Sequence, residues 1–303
     1  MARRSGLIGN RMANTDDATL AAFDANHSYY LRSASTTNPD AERAFEAFFS
    51  LLPPRALQEK EGFDLGAGTG RLAAHAARQV RLLHCIEPSS AGVKAMRAEL
   101  PKNVAVHQAD SDHIPLPDGS QDFGYSFGVL HHIPNTLDAL KNCTSKLKPG
   151  APFLVYLYYR FDNRPFWFRL VWRLADILRR GICRLPFGLR KVVTDSLALS
   201  VYWPLSRAAR IGERGGARVD NWPLNAYRNS PFRSLRADSL DRFGTALEQR
   251  FTRAEIVRLM ETAGLRDIRF AEGPPYWMAV GTKVPGAVDS HESDLPKARL
   301  NVT

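Results

Sequence analysis

The strongest constraint on this chain is five residues long. Gly66-Ala67-Gly68-Thr69-Gly70 sets three glycines at a spacing of two, directly after the strand-like Phe63-Asp64-Leu65 and directly before a helix-like stretch from Arg71 to Ala77. Such a loop lets a backbone approach a ligand closely and leaves the first N–H groups of the next helix without internal partners. The alternation continues on both sides. Asp40 reads as an N-cap for a helix over 41–49 that Pro53-Pro54 stops, and further helices are expected over 90–100 and 136–147. Strands are expected over 81–86, 104–108, 123–128 and 153–157. Strands alternating with helices imply a Rossmann-like, doubly wound, mostly parallel α/β sheet, which binds ligands at the carboxyl ends of its strands. The glycine loop, Glu87, Asp110 and the His131-His132 pair all fall at such ends.

The pattern breaks at 160 and resumes near 251. Thr252-Arg253-Ala254-Glu255 is a capping box that opens a helix closed by Gly264. Two strands follow, around 267–271 and 276–281, joined by Gly273-Pro274-Pro275. They should pair antiparallel and complete a seven-stranded sheet.

The spacing around the loop discriminates between ligands. A dinucleotide fingerprint is G-x-G-x-x-G. Here the third glycine comes one residue early, and Asp64 stands two residues before the first. A carboxylate at that position disfavours a pyrophosphate and suits a ligand that carries positive charge. Glu87, 17 residues after Gly70, is placed to accept hydrogen bonds from ribose hydroxyls.

Four pieces in order carry a resemblance. They are Phe63 through Gly70; Ile86-Glu87-Pro88-Ser89; Ala109-Asp110 leading to Ile114-Pro115-Leu116-Pro117-Asp118-Gly119-Ser120; and Val129-Leu130-His131-His132-Ile133 with Leu147-Lys148-Pro149-Gly150. In these the chain resembles the class I S-adenosylmethionine-dependent methyltransferases, most closely the small-molecule branch (methyltransferase type 11) that includes quinone-biosynthesis enzymes. The resemblance covers about 41–160 and 251–281. It implies S-adenosyl-L-methionine as cofactor, with Asp64, Gly66, Ala67, Gly68 and Gly70 facing its methionine end. It further implies Glu87 on the ribose, Asp110 on the adenine amino group, Ser111 near the ring, and Phe127 and Gly128 lining the pocket. One departure is Lys60-Glu61-Gly62, where the family's first strand is apolar for longer.

Methyl transfer from a sulfonium needs alignment and exclusion of water, and a base only where the acceptor must lose a proton. His132 is the preferred candidate base and His131 the second; a loop-capping role competes for either. His75, His84, His107 and His113 show no ligand spacing, so no metal site is expected. Cys85, Cys143 and Cys183 are too widely separated for a disulfide framework.

The net charge of +10 is uneven. Residues 160–236 hold 16 Arg/Lys against 5 Asp/Glu, which accounts for the whole basic excess, and four of the five tryptophans. An amphipathic helix starts at Pro165, with Arg169, Arg173, Asp176 and Arg180 forming a polar stripe against Phe, Trp and Leu. Three readings fit: a lid over the site with solvated arginines, an interfacial helix on an anionic membrane, or a nucleic-acid surface. The third is disfavoured, because no nucleic-acid acceptor motif such as Asn-Pro-Pro-aromatic follows strand four. An RNA methyltransferase, or a cofactor-binding module without catalysis, remains the alternative to a small-molecule or lipid-linked acceptor.

The expected organisation is an N-terminal helical lead over 1–40, a cofactor-binding core over 41–160, a basic aromatic helical insertion over 161–250, completion of the core over 251–284, and a polar tail over 285–303. No apolar segment follows Arg3 and Arg4, and the longest uncharged apolar run, Ser196 to Ser206, has 11 residues against the roughly 20 that span a bilayer. The expected location is therefore cytoplasmic, with contact at the inner face of the membrane if the insertion is interfacial. Oligomeric state is not legible.

Overall fold

A computed structural model describes residues 14–30, 39–272 and 277–285. In chain order the elements are α1 (Asp17–Tyr30), α2 (Pro39–Phe49), β1 (Glu61–Leu65), α3 (Ala73–Ala76), β2 (Leu82–Ile86), α4 (Ser90–Glu99), β3 (Val104–His107), β4 (Phe123–Phe127), α5 (Thr136–Lys146) and β5 (Pro152–Tyr156). The insertion contributes α6 (Phe166–Ile182), α7 (Phe187–Leu197), α8 (Trp203–Arg214) and α9 (Phe232–Gly244). The chain closes with α10 (Arg253–Thr262), β6 (Leu265–Phe270) and β7 (Met278–Lys283). The strands form one sheet of order β3-β2-β1-β4-β5-β7-β6. The first five are parallel; β7 runs antiparallel to both β5 and β6.

The strands alternate their side chains between two apolar layers. Phe63, Leu65, Phe153 and Val155 face α5 and α10, while Leu83, Cys85, Phe123, Tyr125 and Leu154 face α2 and its neighbours. Gly62 and Gly124 sit where a Cβ would stand 2.4 Å from the ring of Phe123 or Phe63, so each glycine seats the aromatic of the neighbouring strand.

Local differences from expectation have local causes. The first strand begins at Glu61 rather than Phe63, because Glu61 and Gly62 pair with Leu82 and Leu83 of β2. The helix after the glycine loop is a single turn, 73–76 rather than 71–77. The capping box is present, with the Thr252 hydroxyl accepting from the Glu255 N–H and the Glu255 carboxylate accepting from the Thr252 N–H. The Gly273-Pro274-Pro275 turn and the tail beyond 285 lie outside the described residues.

Helix α1 ties the two halves together. Asp24 accepts hydrogen bonds from the Ser89 hydroxyl (2.8 Å) and the Ala91 N–H (3.0 Å) at the start of α4. The Thr19 hydroxyl accepts from the Leu247 N–H (3.0 Å), and the Asn26 amide donates to Asp241 (2.9 Å).

Candidate active site

The glycine loop runs from the end of β1 to α3 across the carboxyl edge of the sheet. Gly66 has φ +79, and a Cβ there would lie 2.4 Å from Val129; Gly68 has φ +58. Both positions lie in the left-handed region that favours glycine. The Gly66 and Ala67 N–H groups donate to Ile86 O, which fastens the loop to β2. Gly92 lets α4 close on the loop, since a Cβ there would stand 2.6 Å from Gly68 O.

Two buried carboxyls face this loop. Glu87 accepts from the Gly68 N–H (2.8 Å) and the Ser89 N–H (2.9 Å). Burial pushes its carboxyl up to about 6, and those two bonds limit the rise. Asp64 is 3% exposed and shares the sheet face of its register partners Tyr125 and Cys85. Burial raises it to about 8; the adjacent Tyr125 hydroxyl pulls the other way and the Glu87 charge adds to the rise. His27 of α1 closes over Gly68, its Nδ1 3.2 Å from the Ser89 hydroxyl, and burial holds it down at about 4.

Asp110 follows β3 and accepts from the Asp112 N–H, the His113 N–H and His113 Nδ1, all at one oxygen, Oδ1. It borders an open groove of about 590 Å³ that also takes in Arg97, His107 and Gln108. The next residue, Ser111, has a buried hydroxyl with no hydrogen-bond partner. An orphaned buried polar atom of this kind, one residue from Asp110, is a place where a bound group would complete the bonding.

The two histidines, adjacent in sequence, have different surroundings. His131 has no exposed surface, stacks on Tyr158 with centroids 3.8 Å apart, and has no partner for either nitrogen. His132 is fixed by a 2.6 Å bond from Nδ1 to Leu247 O. A carbonyl only accepts, so Nδ1 carries the proton and Nε2 keeps its lone pair. Burial lowers the basicity of both rings; in His132 the Leu247 bond opposes this.

Beyond Phe127 and Gly128 lies a polar recess that no sequence motif marked. Phe127 meets Tyr156 at 4.7 Å between centroids, and Gly128 (φ +75) faces the same ring. Tyr158 and Tyr227 join it, with Asp238 and Asp241 from α9. Tyr156, Tyr158, Tyr227, Asp238 and Asp241 are each half-buried. Burial raises Asp238, against the pull of the Tyr227 hydroxyl, and raises Asp241 to about 7. Arg250 supports one wall: it pairs with Glu248 at 2.7 Å and sits about 5 Å from the rings of Tyr158, Phe161 and Trp172. The available signal was the Asp238–Asp241 spacing of three on a helix, which puts both carboxyls on one face. Among the described residues no cluster of His, Cys, Asp and Glu is arranged to hold a metal ion.

Residues 63–155 match the methyltransferase domain family. The chain is 26% identical over 131 residues to 27-O-demethylrifamycin SV methyltransferase of Amycolatopsis mediterranei, a match covering 41% of this chain and 47% of that protein. It is 28% identical over 123 residues to a Mycolicibacterium smegmatis protein described as a probable S-adenosylmethionine-dependent methyltransferase, with the same coverage of each. The chain thus spans about half the length of the curated relatives it matches. Among solved structures, the complex of the Haloferax volcanii Trm112 methyltransferase activator with a methyltransferase superposes with a TM-score of 0.51 at 13% identity, covering 88% of this chain and 96% of that one. That likeness shows the fold.

Proposed function

Because residues 63–155 are a methyltransferase domain of the class I, S-adenosylmethionine-dependent kind, we propose that the protein transfers a methyl group to a hydroxyl of a small molecule held in the recess beyond Phe127. The cofactor, when bound, supplies an activated methyl on a sulfonium. The donor set suits it. Asp64 and Glu87 are carboxyls raised by burial, which a cationic ligand would draw back toward the ionised form. The Ser111 hydroxyl, next in sequence to Asp110, is buried with no hydrogen-bond partner. Asp64 and the 66–70 loop would hold the methionine end, Glu87 the ribose hydroxyls, and Asp110 with Ser111 the adenine.

The observation that carries the acceptor reading is the Nδ1 bond of His132 to Leu247 O. It fixes the tautomer, so that Nε2 can take the proton an acceptor hydroxyl loses as its oxygen bonds to the methyl carbon and the carbon–sulfur bond breaks. Burial keeps the ring neutral, the state in which it can accept that proton. His131, enclosed against Tyr158, packs the wall. Helix α1 and the insertion exclude water above the site. The Amycolatopsis relative is named for an O-demethyl small molecule, which supports a hydroxyl acceptor. An acceptor carried on a lipid is the finer reading, and the insertion's surface favours it.

Incubation with methyl-tritiated S-adenosylmethionine and a cell extract tests this. Label should enter the small-molecule or lipid fraction, and not when His132→Ala replaces the wild type. Label entering RNA alone, or none at all, would overturn the proposal.

A further inference from the structure

Among the described residues, every large hydrophobic side chain exposed to solvent lies between Phe166 and Trp222. On α6 alone Phe166 is 69% exposed, Ile177 64% and Leu174 56%, with Trp167, Leu170 and Leu178 beside them. Leu189 and Val192 of α7, then Leu199 and Leu205, are exposed as well. On α6 these residues share one face of the helix, and an exposed apolar arc of this kind marks a contact site, whereas scattered single residues would not.

The exposure is built into the helix. The opposite face of α6 is anchored by polar bonds: Arg179 is 6% exposed and donates to Thr245 O (2.8 Å) and Ala246 O (2.9 Å). Asp176 pairs with Arg179 through one carboxylate oxygen at 2.8 Å. Asp176 stays with the expected polar stripe through a second pairing, with Arg180 at 2.9 Å, and the apolar arc of Phe166, Leu174 and Ile177 is open to solvent. Arg169, Arg173 and Arg180 are exposed and run in one row along the edge of that arc, as 3.6 residues per turn places them.

From this surface we propose that α6, α7 and α8 dock the protein on an anionic lipid bilayer, with the apolar arc in the acyl–headgroup boundary and the arginine row on the phosphates. The helix lies in the plane of the interface, because its 17 residues fall short of the roughly 20 that cross a bilayer. No helix among the described residues is long and apolar enough to span. The charge decides between occupants. A second copy would set this segment's excess of eleven positive charges against the same excess, and protein interfaces deplete charge at their cores. An anionic surface complements it. The proposal does not rest on the methyl-transfer reading.

Co-sedimentation of the full chain with phosphatidylcholine vesicles, with and without phosphatidylglycerol, is the test. The wild type should pellet only with the anionic vesicles and be released by salt, as screening shortens the attraction. The double variant Leu174→Gln, Ile177→Gln should bind them at least tenfold more weakly, with an unchanged melting temperature. The triple variant Arg169→Gln, Arg173→Gln, Arg180→Gln should lose the preference for anionic lipid. Equal binding to both vesicles, binding to neither, or a dimer by light scattering that Leu174→Gln dissociates would overturn the proposal. Each of these outcomes leaves cofactor binding by the core untouched, so the two proposals fail separately.

Discussion

Helices α10 and α6 are both amphipathic, and they face opposite ways. In α10 the apolar arc is sealed on the sheet, with Ile256 and Met260 at 0% exposure. In α6 the arc is open to solvent, and an arginine takes the inward position. Hydrophobic periodicity gives the arc; it does not give the direction the arc faces. That direction depends on what the neighbouring element offers. The sheet offers α10 an apolar layer. The 245–246 segment offers α6 bare carbonyls, which Arg179 satisfies at a smaller cost than leaving them unpaired in a buried position. The core is therefore organised to bury apolar surface and to hold carboxyls at its strand ends, while the insertion buries a smaller cluster around Tyr202, Leu235 and Phe243 and also presents the exposed arc of α6.

This contrast orders the expected effects. Phe153→Ala, in the middle of the sheet at 0% exposure, should cost about 3–5 kcal/mol of stability in denaturant unfolding. A change of less than about 1 kcal/mol would mean that the core repacks freely. His132→Ala should lower turnover about a hundredfold or more while leaving cofactor affinity in place, whereas His131→Phe, which keeps a ring against Tyr158, should keep most of the activity. Equal losses from both variants would remove the distinction drawn from the Leu247 bond.

The next effect is a pH dependence. Asp64 rises from 3.8 to about 8 on folding, so between those values the cofactor-free native state holds a proton that the unfolded chain releases. Its stabilising contribution is complete below about 4 and declines as pH rises toward 8. The melting temperature of the cofactor-free wild type should fall across that range, and less steeply in Asp64→Asn; parallel curves would contradict the buried-carboxyl account. The smallest effect should come from Leu174→Gln with Ile177→Gln, which should shift stability by less than about 0.5 kcal/mol per site, as surface changes do. A large loss there would show that the arc is packed in solution.

Much of the core was legible because its signals are local. The glycine loop, Glu87 and Asp110 each sit beside the strand that positions them, and the capping box spans four consecutive residues. Strand β1 was placed two residues short because Glu61 and Gly62 enter it through pairing with β2 rather than through their own propensity. What escaped the sequence depends on distant partners. Asn26 bonds to Asp241, 215 residues away, and Asp24 to Ser89, 65 away. The clasp role of α1 has no periodicity to reveal it, and the tyrosine–aspartate recess leaves only the Asp238–Asp241 spacing, which places two carboxyls on one helix face without saying what they face. The inward position of Arg179 was hidden for the same reason, since its guanidinium donates to carbonyls that lie some seventy residues further along the chain.

Calorimetric titration of S-adenosylhomocysteine into the full chain tests the central assignment most directly, since it needs no knowledge of the acceptor. The account predicts one saturable site, weakened by Glu87→Ala by about 1–3 kcal/mol, roughly five- to 150-fold, and unaffected by Leu174→Gln with Ile177→Gln. Absence of binding to the wild type, or equal affinity in Glu87→Ala, would contradict it.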